Sequence, residues 1–288
     1  MPETPAGPLE RCRSLLFCPG NRPDLIAKTP RSGPDAIAID LEDAVPIAQK
    51  VAARSVATAG ATALAAAGAG ALRLLRVNGP ATPWHEEDLV TLRDPAWQGV
   101  IVPKVESAAQ LRALGAALAR LGRPGLAVLA GLESMAGVAQ ARELTPLAHG
   151  IYFGAEDYIT DLGGVRTRGN HEVLYARSAV VLAARLAGAA AFDQVVTDHA
   201  DRARFRCEAE AARSLGYTGK LCIHPGQTAL ANEAFTPSAE TLERARRLVA
   251  AYEAASAAQR GAIDFEGEMV DQPLYRRALD LLGRAAPR

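Results

Sequence analysis

The chain has no CxxC pair. Its four cysteines, Cys12, Cys18, Cys207 and Cys222, lie in two distant clumps, which indicates neither a zinc site nor a disulfide framework. A reduced, cytoplasmic compartment is the expectation that follows. Nor is there a surplus of either charge, since Lys plus Arg and Asp plus Glu number 32 each. The broad electrostatic footprint of a nucleic-acid or membrane-surface binder is therefore missing, and any polyanionic ligand must find a local basic cluster. No stretch approaches roughly 18 uninterrupted apolar residues, so no membrane span is expected. The opening residues MPETPAGPLERCR carry acids and prolines ahead of any apolar run, unlike a secretory signal.

What is present is enough apolar residue, 49% of 288 positions, to bury a core of barrel size. Short β-rich apolar runs recur between alanine-rich segments with helical spacing, the alternation of βα units around a parallel sheet. Eight such runs stand at 14–19, 36–41, 72–77, 99–105, 126–132, 150–154, 194–197 and 220–224. Each gap is long enough for a crossover helix. Eight parallel strands predict a closed TIM (β/α)8 barrel over residues 1–236; a doubly wound open sheet could use a similar count. The seventh run, within AFDQVVTDHAD, is short and mixed. Residues 237–288 read as a C-terminal helical extension. Its first helix is expected to be capped by Thr236 with Pro237 at the first helical position, and a last helix to start at Pro273 after an extended, Gly-bounded segment.

In a β/α barrel the loops after the strands build the active site. Polar residues stand at those ends repeatedly: Asp40, Glu42 and Asp43 after the second strand, Arg76 and Asn78 after the third, Lys104 after the fourth, Glu133 and Ser134 after the fifth, Glu156 and Asp157 after the sixth. Any one of them alone reads most simply as a solvated loop residue or a helix cap. Together they converge acids and bases on one mouth. Glu133 and Asp157, one strand apart, could share a hard cation and leave positions for water and substrate oxygens, as Mg²⁺ prefers. Arg76 offers a planar fork for a substrate carboxylate. Asn78 and Asp43 could instead cap helices. His224 in IHPGQ reads as a buried structural histidine bonded to backbone, and His199 as weaker still.

The stretches RSLLFCPGNRPDL, AIDLEDAV with Lys50 and Arg54, LRVN, VPKVES, LESMAGV, IYFGAEDY and GKLCIHPGQ, in this order, resemble the citrate lyase β-subunit-like family of the HpcH/HpaI aldolase superfamily. The likeness resumes in GAIDFEGEMVD and so covers nearly the whole chain. It implies a TIM barrel with a C-terminal extension that reaches a neighbouring subunit of a homotrimer. It also implies Mg²⁺ on Glu133 and Asp157, substrate contacts from Arg76 and Glu133, and an aspartate matching Asp271 that exchanges the proton at the thioester α-carbon. Asp40, Glu42 and Lys104 are placed around the substrate, with the acids binding metal waters or orienting Arg76 and Lys104. For Asp271 the alternative is an N-cap. Arg22 and Lys28 are the nearest basic groups for coenzyme A phosphates, though isolated surface cations are usually just solvated. Where relatives often carry Thr-Ala or Thr-Pro after the glutamate, this chain has Ser134-Met135-Ala136.

The implied activity is magnesium-dependent cleavage, or Claisen formation, of citramalyl-CoA, malyl-CoA or citryl-CoA, giving acetyl-CoA and a 2-oxo acid. Two alternatives stay open: a citrate lyase β subunit acting on the citryl thioester of an acyl-carrier partner, and a pyruvate-type metal-dependent aldolase.

Overall fold

The computed structural model describes residues 7–257, 259 and 261–284. Eight parallel strands run in chain order around a closed barrel: β1 Ser14–Pro19, β2 Ala36–Asp40, β3 Leu72–Arg76, β4 Gly99–Val102, β5 Ala127–Leu132, β6 Gly150–Phe153, β7 Ala190–Asp193 and β8 Gly219–Cys222. Closure is made by β1 on β8, with Leu15 opposite Leu221. The expected (β/α)8 barrel is therefore what forms. Alternate side chains point to opposite faces of a strand. Leu15, Leu74, Ile101, Leu129 and Phe192 thus fill the lumen, while Ile37, Leu75, Val100, Val128 and Ile151 pack outward against the helices. The Lys50–Ala66 helix shows how the alanine-rich segments dock: Ala53, Ala57, Ala61 and Leu64 make one buried stripe at helical spacing. The Ala108–Arg120 helix is started by a Ser107/Gln110 capping box. No described helix is long and apolar enough to cross a membrane.

Three sequence expectations need correction. The seventh strand is Ala190–Asp193, four residues before the expected 194–197. Val195 and Val196 look strand-like. However, the Gln194 carbonyl accepts from Lys220 Nζ (2.8 Å) and the Val196 carbonyl from Gln227 Nε2 (2.9 Å), so side chains take the places of ladder partners. The fourth strand stops at Val102 rather than 105, because Lys104 takes a left-handed backbone with φ 53°. In the tail the cap is Ser238 rather than Thr236. Its hydroxyl accepts from the Thr241 N–H (3.1 Å), and the helix spans Ala239–Ala257.

The chain divides into two compact units, Met1–Phe235 and Thr236–Arg288. Within the second, the segment expected to be merely extended is a hairpin, β9 Ile263–Phe265 and β10 Glu268–Val270. Glu266 and Gly267 at its tip have φ of 55° and 83°, the double positive-φ pattern of a type I′ turn. The Gln272–Arg284 helix follows.

Between barrel and helices lies a buried ion network. Asp193 accepts from Arg177 through Nε and Nη2 (2.9 and 3.0 Å) and from Lys220 Nζ (2.6 Å). Asp193 and Lys220 are both wholly buried. Burial alone would raise the Asp193 carboxyl, but its two cations hold it below the usual carboxylate range. Removing one member strands the others without solvent. Asp193→Ala is expected to lower stability by on the order of 3–5 kcal/mol. Urea unfolding checks this, and a loss below about 1 kcal/mol would contradict it.

Candidate active site

The mouth is organised by strand register. Asp40 and Arg76 are direct partners across β2 and β3. That places the guanidinium against the carboxylate, with Nε and Nη2 each 2.7 Å from an oxygen. Asp40 also accepts the backbone N–H groups of Glu42 (2.8 Å) and Ala44 (3.1 Å), which folds the next loop around it. Burial pushes the Asp40 carboxyl up, yet Arg76 and these N–H groups outweigh it, so its pKa lies below the ordinary value. Arg76 stacks on the Phe17 ring at 4.9 Å, and its Nη1 stands 3.0 Å from Glu42 and 3.4 Å from Asp43. The fork that sequence reading left free for substrate is thus engaged by Asp40. Arg76 lines the pocket with all three guanidinium nitrogens beside carboxylates.

Lys104 joins the same cluster, with Nζ 3.1 Å from Glu42, 3.9 Å from Asp43 and 3.8 Å from Asp157. Its left-handed backbone is a costly conformation for a non-glycine residue. Burial raises the Glu42 carboxyl to about 7 despite the two cations beside it. One Glu42 oxygen, Oε2, makes no hydrogen bond although Arg76 is close, because the approach lacks hydrogen-bond geometry.

Glu133 follows β5 and is 3% exposed. Tyr152 of β6 donates its hydroxyl to Glu133 Oε1. Burial first, then the charge of Glu42, raise the Glu133 carboxyl to about 8. Gly154 makes room for it, since a Cβ there would stand 2.5 Å from Glu133 Cγ. Glu133 and Asp157 line the same cavity as a pair of carboxylate donors. No cluster of three or more His, Cys, Asp or Glu ligands occurs among the described residues. A two-carboxylate set with open positions fits Mg²⁺, which keeps several waters, better than zinc.

These groups line a cavity of about 420 Å³, in which Asp40, Arg76, Glu133 and Asp157 face an apolar side of Phe17, Val195, Leu221 and Ile223. Behind it, Lys50 Nζ donates to the Leu41 and Glu42 carbonyls (both 2.9 Å) and to Asn78 Oδ1 (2.6 Å). Asn78 is buried and donates from Nδ2 to Asp88 (2.6 Å), which Arg54 also grips (2.7 Å). Asn78 is therefore a tie between two loops and not a helix cap. Sequence reading assigned no role to Tyr152, Phe17 or Asp88. Tyr152 and Phe17 sit inside apolar strand runs and read as core.

Other candidates stand apart. Arg22 is exposed and pairs with Asp24 (2.8 Å); Lys28 is exposed too, and neither lines the cavity. His224 is not buried as expected. It is exposed, accepts from the Gly226 N–H through Nδ1 (3.0 Å) and stacks on His199 at 4.9 Å. Asp271 precedes the last helix, and its carbonyl accepts from the Tyr275 N–H (3.1 Å). Its carboxylate makes no hydrogen bond or ion pair among the described residues, so it does not act as the cap.

A model of the HpcH/HpaI aldolase/citrate lyase family matches residues 13–225. The chain belongs to this family. It is 54% identical over 280 residues to a citrate lyase subunit beta-like protein of Deinococcus radiodurans, covering 95% of this chain and 97% of that one. It is 34% identical to a (3S)-malyl-CoA thioesterase of Cereibacter sphaeroides, with 95% and 94% covered. Among solved structures it resembles CitE of Mycobacterium tuberculosis in complex with magnesium, acetoacetate and coenzyme A, with a TM-score of 0.79, 34% identity, and 95% and 98% covered. Magnesium, the cofactor expected from the sequence, is the metal of that complex.

The strain and the ammonium at position 104 can be separated. Lys104→Gly and Lys104→Ala both remove the cation, but only alanine keeps a Cβ in the left-handed region. The glycine variant should be about 1 kcal/mol the more stable, with turnover lowered alike in both. Equal urea midpoints would contradict the strain.

Proposed function

We propose that this protein is a magnesium-dependent carbon–carbon lyase. It cleaves, or forms in the reverse Claisen direction, a 3-hydroxyacyl-CoA such as citramalyl-CoA, malyl-CoA or citryl-CoA, the products of cleavage being acetyl-CoA and a 2-oxo acid. The observation that carries this reading is that Glu133, Asp157 and Arg76 line one cavity. The M. tuberculosis CitE complex, which pairs magnesium with coenzyme A and a small oxo acid, supports it.

In this reading Glu133 and Asp157 hold Mg²⁺, which when bound supplies Lewis-acid polarisation of the oxo-acid oxygens. The chain's own groups do the rest. Arg76, locked by Asp40 and Phe17, binds the substrate carboxylate and sets its orientation, so little reordering is needed on binding. Lys104 and Glu42 balance charge beside it. During cleavage the substrate hydroxyl gives its proton to water in the pocket while the carbon–carbon electron pair moves to the thioester enolate, which then takes one proton at its α-carbon, so protons balance overall. Asp271, from a second copy of the chain in a homotrimer, handles that proton. The extension of residues 237–288 carries it there. Arg22 and Lys28 are the assigned contacts for coenzyme A phosphates, with Lys28 the better placed because Arg22 is already paired.

A second reading rests on the 35% identity to citrate lyase subunit beta of Leuconostoc mesenteroides. Here the chain works only on a thioester held by an acyl-carrier partner. Direct aldol chemistry on free pyruvate ranks below both.

Purified protein with Mg²⁺ should release a 2-oxo acid from at least one of malyl-, citramalyl- or citryl-CoA. Activity should vanish with a chelator and return with Mg²⁺. Glu133→Ala, Asp157→Ala and Asp271→Asn should each lose at least ~100-fold, the scale on which one electrostatic group acts at a transition state. Free coenzyme A without a 2-oxo acid would mark a thioesterase. Silence on all three thioesters would favour the carrier-dependent subunit.

A further inference from the structure

Glu133 is not held by the metal site alone. Its supporting contact comes from the barrel lumen. Tyr152 of β6 stands opposite Gly131 of β5 in the strand register, so its ring lies over a position with no side chain. A Cβ on Gly131 would come within 2.4 Å of both the Tyr152 hydroxyl and Glu133 Oε1. A Cβ on Gly154 would meet Glu133 Cγ at 2.5 Å. Two glycines on adjacent strands therefore clear the space in which the Tyr152–Glu133 hydrogen bond forms. Both partners are out of solvent, Tyr152 at 2% and Glu133 at 3% exposure. The Tyr152 ring belongs to the lumen cluster with Leu74, Leu129 and Phe192, so it cannot swing away from the carboxylate without repacking the barrel interior.

We propose that Tyr152 is a positioning residue for Glu133: its hydroxyl holds Oε1 from below, and this orients the carboxylate toward Asp157 and the pocket for metal binding. The proposal rests on the reading of Glu133 as a magnesium ligand. A ligand oxygen free to rotate in a cavity would lose orientation on each release of the metal. A hydrogen bond from a rigid partner removes that freedom before the metal arrives. Outer partners of this kind change metal affinity by roughly 10–100-fold when removed. Tyr152 also lines the pocket, as do Phe17 and Leu221. A filler there would need only the ring, whereas a positioning residue needs the oxygen.

The test is Mg²⁺ binding by calorimetry on the full chain without substrate, for wild type, Tyr152→Phe, Gly131→Ala and Glu133→Gln, with circular dichroism confirming the fold of each. Tyr152→Phe keeps the ring and removes only the hydroxyl; Gly131→Ala keeps both side chains and crowds the bond from both partners, the Tyr152 hydroxyl and Glu133 Oε1. Both should weaken Mg²⁺ binding by roughly 10–100-fold, and Glu133→Gln should abolish it. If either of the first two fails to fold, the other still reads the contact. Loss of binding in Glu133→Gln with wild-type affinity in a folded Tyr152→Phe, or in a folded Gly131→Ala where Tyr152→Phe does not fold, would overturn the positioning role alone. Wild-type affinity in Glu133→Gln would overturn the metal assignment and this inference with it.

Discussion

The Asp40–Arg76 ion pair is the contact on which the mouth of the barrel depends. It exists because the register of β2 on β3 sets the two residues side by side, and a parallel ladder allows no sliding once the lumen is packed. Each oxygen of Asp40 then has a guanidinium nitrogen on one side and a loop N–H on the other. One carboxylate thereby fixes the direction of Arg76 and the path of residues 41–44. Glu42 and Asp43 reach the pocket because of that path, and Lys104 reaches Glu42 because the backbone turns left-handed there. A buried pair of this kind is weak evidence of net stabilisation, since desolvation costs about as much as attraction returns. Its consequence is orientation.

Most of the barrel could be read from local pattern. Seven of the eight strands overlap the expected runs, because short β-rich segments bounded by helical ones are a local signal. β7 was displaced because Val195 and Val196 look like a strand while their neighbours' carbonyls are served by Lys220 and Gln227, residues distant in sequence. Local pattern cannot see such partners. The same limit explains His224, whose exposure depends on how the loop after β8 turns.

At the site, the strand-end acids and bases were legible because barrel geometry alone sends them to one mouth. Asp40, Glu42, Arg76, Lys104, Glu133 and Asp157 do gather there. What they do to one another was legible only in part. The orienting of Arg76 by the acids after β2 was anticipated, whereas the tie of Asn78 to Lys50 and Asp88 and the hydroxyl of Tyr152 under Glu133 depend on side-chain directions that sequence spacing does not carry.

The difference between the Asp193 cluster and the cluster at the mouth separates scaffold from site. In the outer one, Asp193 meets Arg177 and Lys220 at full hydrogen-bonding distance, and no solvent reaches it. Its charges are satisfied within the fold, so it has nothing to offer a ligand. At the mouth five carboxylates, those of Asp40, Glu42, Asp43, Glu133 and Asp157, stand around two cations among the described residues, Arg76 and Lys104. The fold relieves the excess by holding protons, which is why burial and mutual repulsion carry Glu42 to about 7 and Glu133 to about 8 while Asp40, claimed by Arg76, stays low. A proton held against the ordinary preference of a carboxylate is readily exchanged for a stronger positive charge. An excess of acid around an open cavity is thus the electrostatic condition for taking up a divalent cation, and the closed cluster on the outer face, where two cations meet Asp193, lacks it.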